Sequence, residues 1–275
     1  MGRDAAFFRP GVEPPEPLPG DSLVFAFRGD QLVVATGEEW RLPTLDLFPD
    51  SGAAAVYLGA YAGGACLGLE LDKKSPLPAG FKPERLRTCW GKLPDALYAT
   101  AGFAWQIVHW NATHRFCGRC GEATVSLPGE RAKKCPRCHH VAYPRLSPVV
   151  IVLVRKGDDI LLARPQNAAY YFFSALAGFV EPGETLEQAV CREIHEEASI
   201  EIGELRYFSS QPWPYPHSLM IGFFAAWQAG ELHFDSKEIA EGGFYPIDQL
   251  PPLPGKLSIA RALIDAAVDE IKAGR

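Results

Sequence analysis

"GFVEPGETLEQAVCREIHEEASI", residues 178–200, is the stretch that decides the fold. Pro182-Gly183 is a turn signal, and Thr185-x-x-Gln188 has the form of a capping box, in which each side chain satisfies the other residue's free backbone N–H. The pattern predicts a helix that starts at 185–186 and runs to about Ala198. At roughly 100° per residue, Glu193, Glu196 and Glu197 fall within an arc of about 100°, beside an apolar arc of Val190, Ile194 and Ala198. Such a row is unfavourable on its own. Like charges at i,i+3 and i,i+4 cost roughly 0.2–0.5 kcal/mol each, and carboxylates near a helix C-terminus oppose the macrodipole. Arg192 can pair with Glu196 or with an earlier carboxylate such as Glu184, but one guanidinium cannot neutralise the group. Clustered oxygen ligands without His or Cys suit Mg²⁺ or Mn²⁺, ions that keep waters and coordinate substrate phosphates. A merely solvated acidic face is the alternative.

These residues carry a resemblance. Gly178-x5-Glu184-x7-Arg192-Glu193-Ile194-x-Glu196-Glu197-x-Ser199-Ile200 resembles the Nudix box, the loop-helix-loop signature of hydrolases that cleave nucleoside diphosphates linked to another moiety. One position departs: Ser199 stands where the family has a glycine that serves the turn after the helix. The resemblance implies an α+β fold, an α-β-α sandwich. It also implies that Glu193 and Glu197 bind a divalent metal, with Glu196 in the same cluster as ligand or general base. Ala177 and Ala260 are implied near the site. A further metal ligand is implied in "DSKEIAEGGFY", where Glu238 aligns best and Glu241 is the second choice. Phe179 is implied to stack on the base bound by the partner subunit of a homodimer.

Downstream, "SQPWPYPHS" (210–218) holds Trp213, Tyr215 and three prolines. Proline fixes φ and removes amide donors, so the run reads as a stiff loop that holds aromatic faces for a flat ring; a packed loop with Trp213 in the core is the alternative. The run is similar to the SQPWPFPxS array of the NADH pyrophosphatase branch, with Tyr215 in place of phenylalanine. That similarity implies a dinucleotide site lined by Gln211, Pro212, Trp213, Pro214, Tyr215, Pro216, His217 and Ser218, reached by Glu130 and Tyr143, with Arg87 as a possible contact.

Cys117-x2-Cys120-x14-Cys135-x2-Cys138 is the pattern of a four-thiolate Zn²⁺ site. Four protein ligands close the coordination sphere, so this zinc is expected to hold structure. Between His114 and His140 six Lys/Arg stand against Glu122 and Glu130; this basic knuckle is either an RNA contact or a solvated surface. Cys66, Cys89 and Cys191 are expected to be small buried hydrophobes.

The 275 residues, 47% hydrophobic and 22% charged, suffice for one large or two modest cores, and the net charge of −6 offers no bulk attraction to a polyanion. No apolar run reaches the roughly 18–20 residues of a membrane span, and Met1–Ala6 has neither a secretory core nor a myristoylation signal, so a cytoplasmic protein is expected. Short β-like runs near 22–27, 31–36, 54–61 and 65–72 mark a small β-rich N-terminal domain (1–110). A candidate helix from Asp95 to Asn111 leads to the zinc ribbon (111–145). The hydrolase domain (146–275) opens with strand, turn and strand and closes on a helix from Ser258; no repeat of 20–50 residues is visible. The resemblance implies an enzyme that cuts NAD(H) to nicotinamide mononucleotide and AMP and removes the NAD cap from RNA 5′ ends. The competing expectations are a Nudix hydrolase of ADP-ribose or another nucleoside diphosphate, and a zinc-ribbon RNA-binding module with an inactive hydrolase half.

Overall fold

A computed structural model describes residues 8–49, 51–166 and 171–274. The chain forms two compact units: residues 1–145 with Pro214–Pro216, and residues 146–213 with 217–275.

In the first unit, β1 (Phe8–Pro10), β2 (Leu23–Arg28), β3 (Gln31–Ala35), β4 (Val56–Tyr61), β5 (Gly64–Leu71) and β6 (Phe81–Arg85) form one sheet in the order β1-β4-β5-β2-β3-β6. All its pairs are antiparallel except β2 with β5. The uninterrupted apolar run of β2 has a simple cause, for both faces of that strand are buried. Phe25 and Phe27 face α1 (Asp95–Thr113) with its Ala101, Ala104 and Val108, whereas Val24 and Ala26 lie with Leu67 and Leu69 in a second core. Cys66 and Cys89 are buried, and burial raises their thiols to about 11 and about 12. The chain then enters a small sheet of β7 (Val125–Ser126), β8 (Lys133–Lys134) and β9 (Val141–Ala142).

The second unit contains β10 (Ser147–Lys156), β11 (Asp159–Pro165), β12 (Leu176–Phe179), α2 (Leu186–Ala198), β13 (Glu201–Trp213), β14 (Ser218–Ala229), β15 (Ile239–Pro246) and α3 (Ile259–Gly274). Its sheet runs β13-β14-β10-β11-β15, with β12 on β10, and β10 and β14 are parallel. Val150, Val152 and Val154 point to α2 and its Val190 and Ile194, while Ile151 and Leu153 point to α3 and its Leu263 and Ile264. A helix therefore covers each face of the sheet.

The order β4-β5-β2-β3-β6 in the first unit repeats β13-β14-β10-β11-β15 in the second, parallel pair included. A duplicated topology of this length escapes a search for short repeats. Between β3 and β4 the described residues form two short 3₁₀ turns, Leu45–Leu47 and Gly52–Ala54, and isolated bridges at Arg41 and Thr44, where the second unit has α2.

Two expectations need correction. Cys191 is exposed, because it lies on α2 one step of about 100° beyond the buried Val190 and off the apolar arc. Gln211, Pro212 and Trp213 are strand rather than loop: they pair with Met220, Leu219 and Ser218, and β13 is an edge strand, where a missing proline N–H is tolerated.

Candidate active site

The helix α2 begins where its sequence places it. Gln188 N–H donates to the Thr185 hydroxyl at 3.2 Å, and Thr185 N–H donates to Gln188 Oε1 at 2.8 Å, closing the capping box. Ser199 ends the helix in the left-handed region, at φ 55°, the conformation that favours glycine.

Arg192 organises the acidic row. Its guanidinium grips Glu184 through Nε (2.5 Å) and a terminal nitrogen (2.9 Å), donates to Glu193 at 2.9 Å and Glu196 at 3.0 Å, and holds the Phe179 carbonyl at 2.9 Å. These bonds, with a further N–H from Glu181, hold the Glu184 carboxyl down at about 2. Glu197 receives nothing from Arg192. Its side chain is buried, Oε2 has no hydrogen-bond partner, and burial, reinforced by Glu193, Glu238 and Glu196, pushes its carboxyl up to about 8. Burial also raises the Glu193 carboxyl. An orphaned, buried carboxylate oxygen among other carboxylates is the arrangement a cation would satisfy, and the all-oxygen donor set fits a hard dication.

Gly178 makes room for this arrangement. A Cβ at residue 178 would lie 1.8 Å from the Glu193 carboxyl carbon, so only glycine lets the carboxylate reach across β12.

The cleft has a volume of about 580 Å³ and is lined by Ala177, Gly178, Phe179, Glu181, Arg192, Glu193, Glu196, Glu197, Asp235 and Glu238. Glu238 lines it whereas Glu241 does not: Glu241 lies 3.7 Å from Arg164 Nε and accepts from the Tyr171 hydroxyl. Asp235 was missed from sequence. Its backbone N–H donates to the Glu197 carbonyl at 3.2 Å, and its carbonyl accepts from Glu238 and Ile239, so it brings the 235–238 turn to the end of α2. The acidic "DSKE" was the available signal, but its contact with α2 is tertiary.

The proline-aromatic run divides. Gln211 is committed on both sides of its amide, donating to the Leu257 carbonyl at 2.8 Å and accepting from Ile259 N–H at 2.7 Å, which pins β13 to the start of α3. Ala260, beside Ile259, is buried in the α3 core and lies outside the carboxylate cleft. His217 shares a 3.1 Å hydrogen bond with the Ser147 hydroxyl, and Ser218 is buried. Pro214, Tyr215 and Pro216 belong with the first unit. There the Tyr215 hydroxyl meets that of Tyr98 at 2.9 Å and its ring lies 4.3 Å from the Arg87 guanidinium carbon. In the ribbon the Tyr143 hydroxyl donates to Glu130 at 3.3 Å.

The four cysteine sulfurs lie within 4.8 Å of one another, with Cys117–Cys138 at 3.6 Å and Cys120–Cys135 at 3.5 Å. A tetrahedron with Zn–S near 2.3 Å requires S···S distances of about 3.8 Å, so the site fits Zn²⁺. Arg119 N–H donates to Cys117 Sγ and lowers that thiol.

Three family models match the chain. Residues 144–266 match the NUDIX domain, 112–143 the NADH pyrophosphatase zinc ribbon domain, and 21–110 the NADH pyrophosphatase-like rudimentary NUDIX domain. The NAD-capped RNA hydrolase NudC of Stutzerimonas stutzeri (strain A1501) is 45% identical over 208 residues, covering 76% of this chain and 75% of that protein. The NAD-capped RNA hydrolase NudC of Deinococcus radiodurans is 37% identical over 260 residues, 93% of this chain and 91% of that protein. Among solved structures, a NUDIX hydrolase from Nitrosomonas europaea shares the fold, with a TM-score of 0.50 at 22% identity over 58% of this chain and 94% of that one.

Proposed function

This chain belongs to the Nudix hydrolases, among the NADH pyrophosphatases and NAD-capped RNA hydrolases, and we propose that it acts as they are named. It hydrolyses the diphosphate of NAD(H) to nicotinamide mononucleotide and AMP, and the same bond in the NAD cap of RNA 5′ ends. The observation that carries the reading at the level of chemistry is Glu197, a buried carboxylate with an unpartnered oxygen inside a carboxylate-lined cleft.

In this reading Glu193, Glu197 and Glu238 hold Mg²⁺ or Mn²⁺, with Ala177 beside them. When bound, the dication supplies charge neutralisation at the diphosphate and acidifies water. Glu196, the most exposed of the three clustered carboxylates, takes the proton of the attacking water. Arg192 keeps Glu193 and Glu196 aimed into the cleft and ties Glu184 to the loop before the helix. Trp213 and the exposed Phe179 offer ring faces to the dinucleotide, Phe179 to the one held by the second subunit of a homodimer. Pro212, His217, Ser218, Glu130, Tyr143 and Arg87 complete the substrate contacts. The Cys₄ zinc is structural. Among the described residues no helix is long and apolar enough to cross a membrane, and we place the enzyme in the cytoplasm.

The deciding experiment measures hydrolysis of NADH, ADP-ribose and NAD-capped RNA with Mg²⁺ and Mn²⁺ in parallel. NADH and capped RNA are expected to outpace ADP-ribose. Equal or faster ADP-ribose turnover overturns the substrate assignment.

A further inference from the structure

The zinc ribbon carries charge that the hydrolytic chemistry does not use. From His114 to Arg145 seven Lys and Arg stand against two Glu, in a chain whose total is −6. Four thiolates on Zn²⁺ take back two of those charges and leave the ribbon cationic.

Strand register sorts its side chains onto two faces. Val125 lies opposite Lys134, Lys134 opposite Val141, and Phe116 opposite Ala123. Alternate residues share a side, so Phe116, Val125, Lys134, Val141 and Tyr143 lie on one face. Arg115, Ser126, Lys133 and Ala142 lie on the other, which is turned toward the remainder of the first unit. There Arg115 pairs with Glu70, and burial lowers the Lys133 ammonium. The outer face keeps large apolar groups in solvent: Phe116 is 67% exposed, Val125 53% and Tyr143 61%. Lys134 lies among them, and no carboxylate stands in these strand rows; Glu130 holds the Tyr143 hydroxyl at the margin. The exposed Arg119 and Arg137 sit on the two zinc knuckles.

Flat rings interleaved with cations are what a nucleic-acid single strand requires, rings for bases and cations for the phosphates between them. We propose that the outer face of the ribbon binds the single-stranded RNA that follows the NAD cap, with Phe116 stacking a base and Lys134 facing the backbone. The assignment rests on capped RNA being a substrate, as proposed above, and it makes the Phe116 and Lys134 part of this face the element that distinguishes capped RNA from free dinucleotide.

The test uses the zinc-loaded full chain and the variants Phe116→Ala and Lys134→Glu, each assayed on NADH and on an NAD-capped RNA of about twenty nucleotides, longer than the roughly 4–16 a single-strand site occupies. Zinc content and molecular mass are measured alongside. Loss of a stacked base or a phosphate contact is expected to lower kcat/KM on capped RNA by about fivefold or more, through KM, while NADH turnover stays within about twofold. The salt dependence for capped RNA is expected to flatten in Lys134→Glu. Unchanged capped-RNA kinetics, or a parallel fall on both substrates, overturns the proposal, and so does a variant that converts a dimer to a monomer, since the face then belongs to a second copy. Failure of the unaltered enzyme to cleave capped RNA at all sinks the underlying functional reading instead.

Discussion

Gly178 and Glu193 occupy one space: a methyl group on the first would overlap the carboxyl carbon of the second at 1.8 Å. Gly178→Ala must therefore displace the Glu193 carboxyl from its present position. A displacement on the order of 1 Å in a positioned group costs roughly 100-fold. The expected outcome is a loss of that size in kcat with the fold retained, checked by NADH kinetics beside circular dichroism.

Glu197 gives the pH dependence. Its carboxyl is held near 8 in the folded protein, above its ordinary 4.5, so the folded chain keeps a proton that the unfolded chain has released. This contribution to stability is complete below about pH 4.5 and is lost as pH rises through 8, a change of a few kcal/mol at roughly 1.4 kcal/mol per pH unit. In protein freed of Mg²⁺ and Mn²⁺ but retaining zinc, Tm should fall between pH 5 and 8. Glu197→Gln should flatten that fall and abolish turnover, and added Mg²⁺ should restore Tm only in the unaltered protein.

Ser199 holds a left-handed conformation that costs an L-residue roughly 1–2 kcal/mol and glycine almost nothing. Ser199→Gly should raise stability by up to about 1 kcal/mol, since glycine's larger unfolded-state entropy offsets part of the gain. Denaturant melting should show a higher midpoint at unchanged slope.

The hydroxyl that distinguishes Tyr215 from phenylalanine is bonded to Tyr98 at 2.9 Å. Tyr215→Phe should lower stability by about 0.5–1.5 kcal/mol and leave the KM for NADH unchanged. A double-mutant cycle with Tyr98→Phe should return the coupling. A raised KM with unchanged stability would assign the hydroxyl to substrate instead.

Cys135 is fully buried in the four-sulfur site. Cys135→Ser should reduce bound zinc well below one per chain and lower the melting temperature of the first unit, because metal binding and local folding are one equilibrium there. Elemental analysis and calorimetry test both.

The sequence by itself determined whatever depends on neighbours along the chain. The Thr185–Gln188 box fixed the start of α2, the spacing of Glu193, Glu196 and Glu197 fixed their shared stripe, and two Cys-x-x-Cys turns fixed the zinc site, because helix geometry and knuckle geometry are local. Only the tertiary structure decided which carboxylates Arg192 takes, since Glu184 and Glu196 were equally open in sequence and the folded loop brings Glu184, Glu193 and Glu196 to one guanidinium. It also decided that Glu197 Oε2 is left without a partner, that Asp235 and Glu238 line the cleft beside α2, and that Tyr215, in the turn its prolines suggested, packs beside Tyr98. Burial and long-range charge pairing are properties of surfaces that meet only when the chain closes on itself, and no local pattern encodes which surfaces those are.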